Sequence, residues 1–329
     1  MENALALKEK KNVFRMKEAG VLIALAILFL FFCLTTDSFL TAQNLLNILR
    51  QVSLLGIMTV GMTMVLVTGE FDLSVGSTFG MTGMLAGIFM TSGGMPVWLS
   101  ILLGIAIGLG IGLVNGLLVT YAKIPSFIVT LGMLNVARGF ALVVTGGLVV
   151  AVNDKTARDV AGIESFFFIG GGKVGEIPVM IFLFIAVIAV GFFLLHRTII
   201  GFWMKAVGGN ASAAKAVGIN VNLVKITGFA ILGALAGLAG IINLAFLTNV
   251  QGTTGQGMEL NVIAATVIGG TSVSGGEGTI LGAVIGVLLT GVLNNGLILI
   301  GASSFIQTIC IGAVIIGAVA IDVWTRKKQ

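Results

Sequence analysis

The chain has 329 residues, of which 57% are hydrophobic and 9% are charged, and its mean hydropathy is +1.13. A water-soluble globule needs more charged side chains on its surface than this chain has. The composition therefore excludes a soluble protein and indicates a membrane protein. The net charge of +5 does not indicate nucleic-acid binding, because eight of the 18 basic residues flank the first and last apolar runs. These eight are Lys8, Lys10, Lys11, Arg15, Lys17, Arg326, Lys327 and Lys328.

The apolar runs predict an all-α, polytopic membrane protein of about ten transmembrane helices, because about 20 apolar residues cross the hydrocarbon core. They span residues 19–36, 50–68, 73–92, 97–121, 125–146, 178–196, 222–247, 258–270, 279–300 and 303–323. The eighth run is short, but an even number of crossings keeps both basic ends in the cytoplasm, as the positive-inside rule requires. We therefore expect cytoplasmic tails over 1–18 and 324–329 around a transmembrane domain over 19–323.

The same alternation places a loop at about 150–177 outside and a loop at about 197–221 in the cytoplasm. Within the fourth run, glycine recurs at every fourth position, and a shorter glycine set marks the seventh run. Small residues at this spacing let another helix backbone lie close, so we expect a packing groove. The glycines are Gly104, Gly108, Gly112 and Gly116 in the fourth run, and Gly233 and Gly237 in the seventh.

The cytoplasmic loop contains a short predicted helix from Ala211 to Val217. Asn210 before it is a typical N-cap residue, and Gly218 after it can adopt the left-handed conformation that ends a helix. Because the helix is small and expected to be exposed, another protein could approach it closely, and Ala214→Glu should block that approach at little cost to folding. The alternative is an ordinary interhelical loop.

This loop also resembles the ATPase-coupling loop of the ribose-type permease family of ABC sugar importers. Three more segments resemble motifs of that family in the same order, and together the motifs cover most of the chain from about residue 38. The chain departs from the family's usual Gly-Gly-Ile-Asp with the sequence GEFD at 69–72, and has Asn261 where aspartate is common. The coupling-loop residues are Gly208, Gly209, Asn210, Ala213, Ala214, Lys215 and Gly218; the other segments are GMTMVLVTGEFDLSVGS (61–77), NGLLVTYAKIPSFIVTLG (115–132) and ELNVIAATVIGGTSVSGGEGTILG (259–282).

The resemblance implies a type II-like ABC importer permease that moves a sugar or sugar-like solute across the bacterial inner membrane. It further implies a second permease subunit in a homo- or heterodimer, a cytoplasmic ABC ATPase, and a periplasmic or lipid-anchored sugar-binding protein. ATP and Mg would bind to the ATPase, since this chain has no G-x-x-x-x-G-K-[ST] sequence. We expect no cofactor, no metal site and no catalytic residue in this chain.

Eight polar residues within or beside apolar runs are candidates for the solute path or its gate, because such groups are costly in a membrane. They are Glu70, Asp72, Asn115, Arg138, Glu259, Asn294, Asn295 and Gln307. For Asp72, the alternative is a tight turn in which Asp72 or Ser74 caps the third helix, and for the amides the alternative is hydrogen bonding between helices. Arg138 needs a partner such as Glu259, or a place facing water.

Three further points follow from the sequence, namely a rival transport mechanism, the nature of one glycine-rich stretch and an internal repeat. Composition and helix count fit an ion-coupled secondary transporter equally well, although that scheme has no use for the coupling loop. The glycine-rich stretch at 269–278 is expected to be a cytoplasmic connector. The similarity of VTGEFDLSVG (67–76) to VIGGTSVSGG (267–276) suggests an internal repeat whose symmetry the sequence leaves undecided.

Overall fold

The computed structural model describes residues 2–153 and 156–326, and helices dominate these residues. The helices are α1 Glu2–Thr35, α2 Ala42–Val67, α3 Val75–Thr91, α4 Val97–Thr120, α5 Ser126–Thr145, α6 Ile163–Gly171, α7 Val179–Arg197, α8 Ile199–Gly209, α9 Ala211–Ala216, α10 Val221–Leu247, α11 Met258–Ile268, α12 Ile280–Leu299 and α13 Ser304–Arg326. The strands are β1 Val150–Ala151, β2 Lys173–Val174, β3 Ile177–Pro178 and β4 Asn249–Val250. The all-α prediction therefore holds for the helices but missed two short antiparallel pairs, β1 with β4 and β2 with β3.

Each of the ten predicted runs coincides with a helix. Among the described residues, six helices are long and apolar enough to cross a membrane, namely α2, α4, α5, α7, α10 and α12. The apolar helices at 19–35, 75–91, 258–268 and 305–314 are shorter. The count of ten crossings therefore stays a prediction, because length and composition support only six of these helices as full spans. The predicted tail residues Lys327 and Lys328, and Asp154 and Lys155 of the predicted outer loop, lie outside the described residues.

The outer helices surround a buried centre formed by α2, α10 and α12. Most residues of α4, α5 and α7 are not buried, and their exposed side chains are largely apolar, such as Leu102, Val143 and Phe193. In water such a surface would be unfavourable, whereas in a bilayer it contacts lipid tails or another membrane subunit. The arrangement fits a protein whose polar chemistry is confined to its interior and its two ends.

The glycine groove on α4 holds another helix backbone, as predicted, and the structure shows that this helix is α10. A β-carbon added at Gly108 would overlap the carbonyl oxygen of Gly233, and one added at Gly112 would overlap that of Phe229. The relation is mutual, since a β-carbon at Gly233 would overlap the carbonyl oxygen of Gly108. The two backbones can approach this closely only because these positions carry no side chain.

The predicted outer loop at 150–177 is more ordered than expected. Its first residues form β1, which pairs with β4 after the end of α10, and α6 packs on α10 at Gly170, whose α-carbon faces the backbone of Ala245. Val152, Phe166 and Leu244 belong to one buried cluster. This packing fixes the end of α10 and the first residues after β4.

Candidate functional site

The segment between α7 and α10 contains two helices rather than one. The predicted helix is present as α9, and Asn210 caps it by accepting the Ala213 N–H at 2.9 Å, which confirms the predicted cap. The preceding helix, α8, was missed; its cap is Thr198, which accepts the Gly201 N–H at 3.3 Å. Its buried residues Gly201, Met204 and Val207 recur every third position, a helical spacing that could have predicted it.

The end of α9 explains why one expectation about it is wrong. Gly218 adopts φ +88°, and its N–H donates to the Lys215 carbonyl while the Ile219 N–H donates to the Ala214 carbonyl at 3.1 Å. This Schellman pattern turns the chain so that Ile219 and Ala214 both pack into a buried cluster. Ala214 is only 4% exposed. A glutamate there would bury a charge and disturb folding, so Ala214→Glu is not a clean test of partner binding.

The other face of α9 is open. Ser212, Ala213, Lys215 and Ala216 are exposed, and Val217 at its end is 77% exposed. The residues are small apart from Lys215 and Val217, so a partner surface can approach the helix closely. This face is the part of the predicted coupling loop that is available for docking.

At the end of α8, backbone groups from three parts of the chain meet. The Gly276 N–H donates to the Val67 carbonyl at 2.9 Å, and a β-carbon at Gly208 would overlap both of these groups. Gly275, with φ +84°, packs against Gly69 and Gly208, and Gly276 packs against Gly209. We call Gly69, Gly208, Gly209, Gly275 and Gly276 the glycine junction.

The glycine junction joins the α8–α9 segment to two connections. One is the α2–α3 connection at 68–74, and the other is the glycine-rich α11–α12 connection at 269–279. The two similar sequences that suggested an internal repeat, 67–76 and 267–276, overlap these connections, so these two sequences meet in space. Because the contacts are backbone to backbone, α8 cannot move toward Val67 or Gly276 without displacing them.

Glu70 forms an ion pair with Lys225, the fifth residue of α10. Their side chains are 12% and 21% exposed, respectively, so the pair is mostly shielded from solvent. It connects the α2–α3 connection to the helix that directly follows α9. Loss of one partner would leave the other charge poorly solvated, which makes the pair a candidate for holding this connection in place.

Asp72 and Asn115 form a buried polar cluster with Ser74. Asp72 Oδ1 accepts the Ser74 N–H at 2.7 Å and the Ser74 hydroxyl at 2.6 Å, and Asn115 Nδ2 donates to Asp72 Oδ2 and to Ser74 Oγ. Burial raises the pKa of Asp72, while the hydrogen bonds from Ser74 and Asn115 lower it in part. The backbone N–H that Asp72 accepts is that of Ser74, before α3 begins, so Asp72 forms the predicted turn, whereas Ser74 makes no side-chain cap on α3.

Arg138 and Glu259 do not form the ion pair that we considered. Arg138 donates to the Gly252 carbonyl at 3.2 Å, and Glu259 Oε1 accepts the Gly257 N–H at 3.2 Å. Glu259 Oε2 is buried and has no hydrogen-bond partner among the described residues. Both side chains instead contact the irregular chain between β4 and α11.

The remaining candidates lie apart from these groups. Asn295 on α12 and Asn44 on α2 exchange amide hydrogen bonds of 2.8 and 3.0 Å. Asn295 therefore makes the hydrogen bond between helices that was the alternative to a place in the solute path. Gln307 donates to the Ala302 carbonyl at 3.1 Å. Asn294 Oδ1 is buried without a partner among the described residues. The structure thus brings Glu70, Asp72 and Asn115 together near the glycine junction, but not Asn294, Asn295 or Gln307.

Within the described part of the chain, no three or more His, Cys, Asp or Glu residues form a group that could hold a metal ion. Comparison with protein families matches residues 44–319 to a family described as "Branched-chain amino acid transport system / permease component". No solved structure shows a significant match.

Among curated proteins, the chain is 43% identical to ribose import permease protein RbsC of Bacillus subtilis, over 95% of this chain and 94% of that protein. It is 40% identical to RbsC of Escherichia coli K12 over the same shares of the two chains. The xylose transport system permease protein XylH of Haemophilus influenzae is 33% identical, over 94% of this chain and 96% of that protein. The similarity therefore extends over nearly the whole of each protein.

Proposed function

Because the chain belongs to the family of permease components of branched-chain amino acid transport systems, we propose that it carries a sugar or sugar-like solute into the cell as the permease subunit of an ABC importer. The observation that carries this proposal is the near full-length similarity to permeases named for ribose and xylose. The family description names amino acids instead, so leucine is the informative competitor in a transport test.

In this proposal the chain works with three partners. A second permease subunit, identical or different, covers part of the apolar surface, a cytoplasmic ABC ATPase binds ATP and Mg, and a periplasmic or lipid-anchored binding protein delivers the solute. Both termini and the α8–α9 segment lie in the cytoplasm, and the 150–177 region lies outside the inner membrane. The charge distribution supports this orientation, because the basic residues of short connections then face inward.

The ATPase docks on the open face of α9 and moves it during the ATP cycle. Since Ala214 and Ile219 anchor α9 in a buried cluster, α8 and α9 move together. Gly208 conveys this movement to Val67 and Gly276 through direct backbone contact. The α2–α3 and α11–α12 connections therefore respond to the same displacement.

The polar groups next to the glycine junction determine which helices move when the α2–α3 connection moves. The ion pair of Glu70 with Lys225 attaches the connection to α10, and Asp72 attaches the start of α3 to Asn115 on α4. A shift of the connection then rotates or translates the start of α3 relative to these helices. The role of these residues is to position helices at the gate, and none of them performs chemistry.

The proposed energy source leads to a direct test. In proteoliposomes that contain this chain, its ATPase partner and the binding protein, we expect uptake of labelled ribose only when ATP is supplied to the ATPase. A tenfold excess of unlabelled leucine should not compete, because an apolar side chain cannot replace the hydrogen bonds of a sugar.

Uptake driven by an ion gradient without the ATPase would overturn the importer mechanism and favour a secondary transporter. Competition by leucine together with absent ribose uptake would instead assign the chain an amino-acid substrate.

Docking of the ATPase on α9 predicts that a charge at either of two exposed valines, at opposite ends of the molecule, affects ATPase co-purification differently. Val217→Glu should abolish co-purification of the ATPase, because an added charge on the docking face must be desolvated. Val174→Glu, on the β2–β3 hairpin and also well exposed, should leave co-purification unchanged. Both variants should reach the membrane at the level of the wild type, since neither side chain is buried.

The measurement is the amount of ATPase recovered with each purified permease. Normal recovery with Val217→Glu would show that α9 does not form the docking surface.

A further inference from the structure

The chain between β4 and α11 forms neither helix nor strand. Its sequence is QGTTGQG, residues 251–257, which we call the polar segment. Its backbone turns on itself, with the Thr254 N–H donating to the Gln251 carbonyl and the Gln256 N–H donating to the Thr253 carbonyl. Gly255 and Gly257 both adopt φ +80°, a conformation that residues with side chains rarely accept.

The polar segment runs along α3 rather than over the end of the molecule. Val250, just before it, faces Gly83, while the carbonyls of Thr254 and Gly255 face Gly80 and Gly76. At 1.5 Å per residue, the part of α3 from Gly83 to Gly76 is about 10 Å long. α3 is one of the ten predicted crossings, and that prediction places this irregular backbone at membrane depth.

One side of the polar segment is covered by protein. On that side the glycines of α3 allow close approach, Leu142 of α5 packs against Gly252, and Arg138 donates to the Gly252 carbonyl. Glu259 fixes the other end by accepting the Gly257 N–H. Arg138 and Glu259 are therefore positioning residues that hold the polar segment in place.

The other side of the polar segment is open. Gln251, Thr253 and Gln256 are exposed. The side chains of Thr253 and Gln256 make no hydrogen bond within the described ranges 2–153 and 156–326. Irregular backbone at membrane depth occurs only where it is buried in protein or faces a water-filled cavity. Hydroxyl and amide groups suit water and polar solutes, and do not suit lipid tails.

We propose that the polar segment lines the solute path and that Thr253 and Gln256 hydrogen-bond a polyhydroxylated solute there. A hydroxyl and a primary amide each donate and accept, which matches the hydroxyl groups of a sugar. This inference rests on the proposed function and deepens it, because it assigns solute contacts to residues outside the predicted candidates.

The polar segment is also connected to the glycine junction. Gly76, which the segment contacts, is the second residue of α3 after the α2–α3 connection, and α11 leads from the segment to the α11–α12 connection. Both the α2–α3 and the α11–α12 connections contact Gly208. A displacement of α8 therefore reaches the solute-contacting residues through either of two short routes, which explains how docking on α9 changes the solute path.

The test uses the complete transporter in proteoliposomes, with Cys33 and Cys310 replaced by alanine. Thr253→Cys and Gln256→Cys are treated with a charged, membrane-impermeant thiol reagent, and Val143→Cys serves as the control. Val143 is 81% exposed on an apolar face, and the adjoining Leu142 packs against Gly252, next to Thr253. Because only the thiolate reacts and it forms in water, we expect the two segment thiols to react at least about tenfold faster than the control.

Solute contact is tested separately with Thr253→Val and Thr253→Ser. Removal of the hydroxyl should lower ribose uptake by about tenfold at unchanged membrane abundance, and serine should restore it. Segment thiols as slow as Val143→Cys, or normal uptake with Thr253→Val, would overturn this inference. A wild-type transporter that does not take up any sugar would instead overturn the proposed function, so the two failures are distinguishable.

Discussion

Gly208→Ala is expected to lower solute uptake by about tenfold or more, whereas Gly209→Ala should leave it unchanged. A β-carbon at position 208 would overlap the Val67 carbonyl oxygen and the Gly276 amide, so their hydrogen bond must open or α8 must move away. At position 209 the added carbon has no heavy atom within 4 Å. Overpacking of this kind costs about 1–3 kcal/mol, and about 1.4 kcal/mol corresponds to a factor of ten.

Three measurements separate a defect in transmission from a defect in folding. Membrane abundance and recovery of the ATPase should stay near the wild-type values for both variants, because the docking face of α9 is unchanged. ATP hydrolysis should continue in Gly208→Ala while uptake is lost. Equal uptake by the two variants would show that close contact at the glycine junction is not required for transport.

The second large effect concerns the groove between α4 and α10. Gly108→Leu should strongly reduce the amount of folded permease in the membrane, because its side chain would occupy the space of the Gly233 backbone. The helices would have to separate along their whole contact, since neighbouring positions of the groove also pack backbone against backbone. The expected cost is about 3 kcal/mol or more, at the upper end of overpacking effects.

Gly110→Leu is the matched control on the same helix. A β-carbon at Gly110 has no heavy atom within 4 Å, so leucine there adds an apolar side chain to an open face. Detergent-extracted protein is measured by size-exclusion chromatography and by its unfolding temperature. If the two leucine variants are equally abundant and equally stable, the glycine groove does not hold α4 on α10.

These two pairs of variants test different parts of the molecule. The groove determines whether the helices assemble, and its loss should reduce transport in proportion to the amount of folded protein. The glycine junction determines whether assembled helices respond to the ATPase, and its loss should reduce transport per folded molecule. The specific activity of each variant therefore assigns its defect.

Several properties of the chain could be predicted from sequence because they depend on short-range patterns. The excess of apolar residues indicated a membrane protein, and the positions of the apolar runs coincide with helices. The four-residue glycine period indicated close packing on one face of α4, since that period follows from helix geometry alone. Asn210 and Gly218 indicated where α9 begins and ends, because caps involve only neighbouring residues. The ordered motifs indicated the permease family.

Other properties depend on what packs against each residue from distant parts of the chain. Ala214 is part of an alanine-rich helix that looked exposed, yet the turn at Gly218 directs it into a buried cluster. Arg138 contacts the Gly252 carbonyl rather than Glu259. The spacing of residues in a helix defines which of them share a face, but not which element that face meets.

The contacts of Gly208 are the clearest example. Its neighbours come from the end of α2 and from the α11–α12 connection, and none of the three stretches indicates the other two by its sequence pattern. Only the packing of α2, α8 and α12 decides that these backbones meet. Unlike the glycines of α4, Gly208 belongs to no four-residue glycine period, so its function as a contact point follows from the tertiary structure alone.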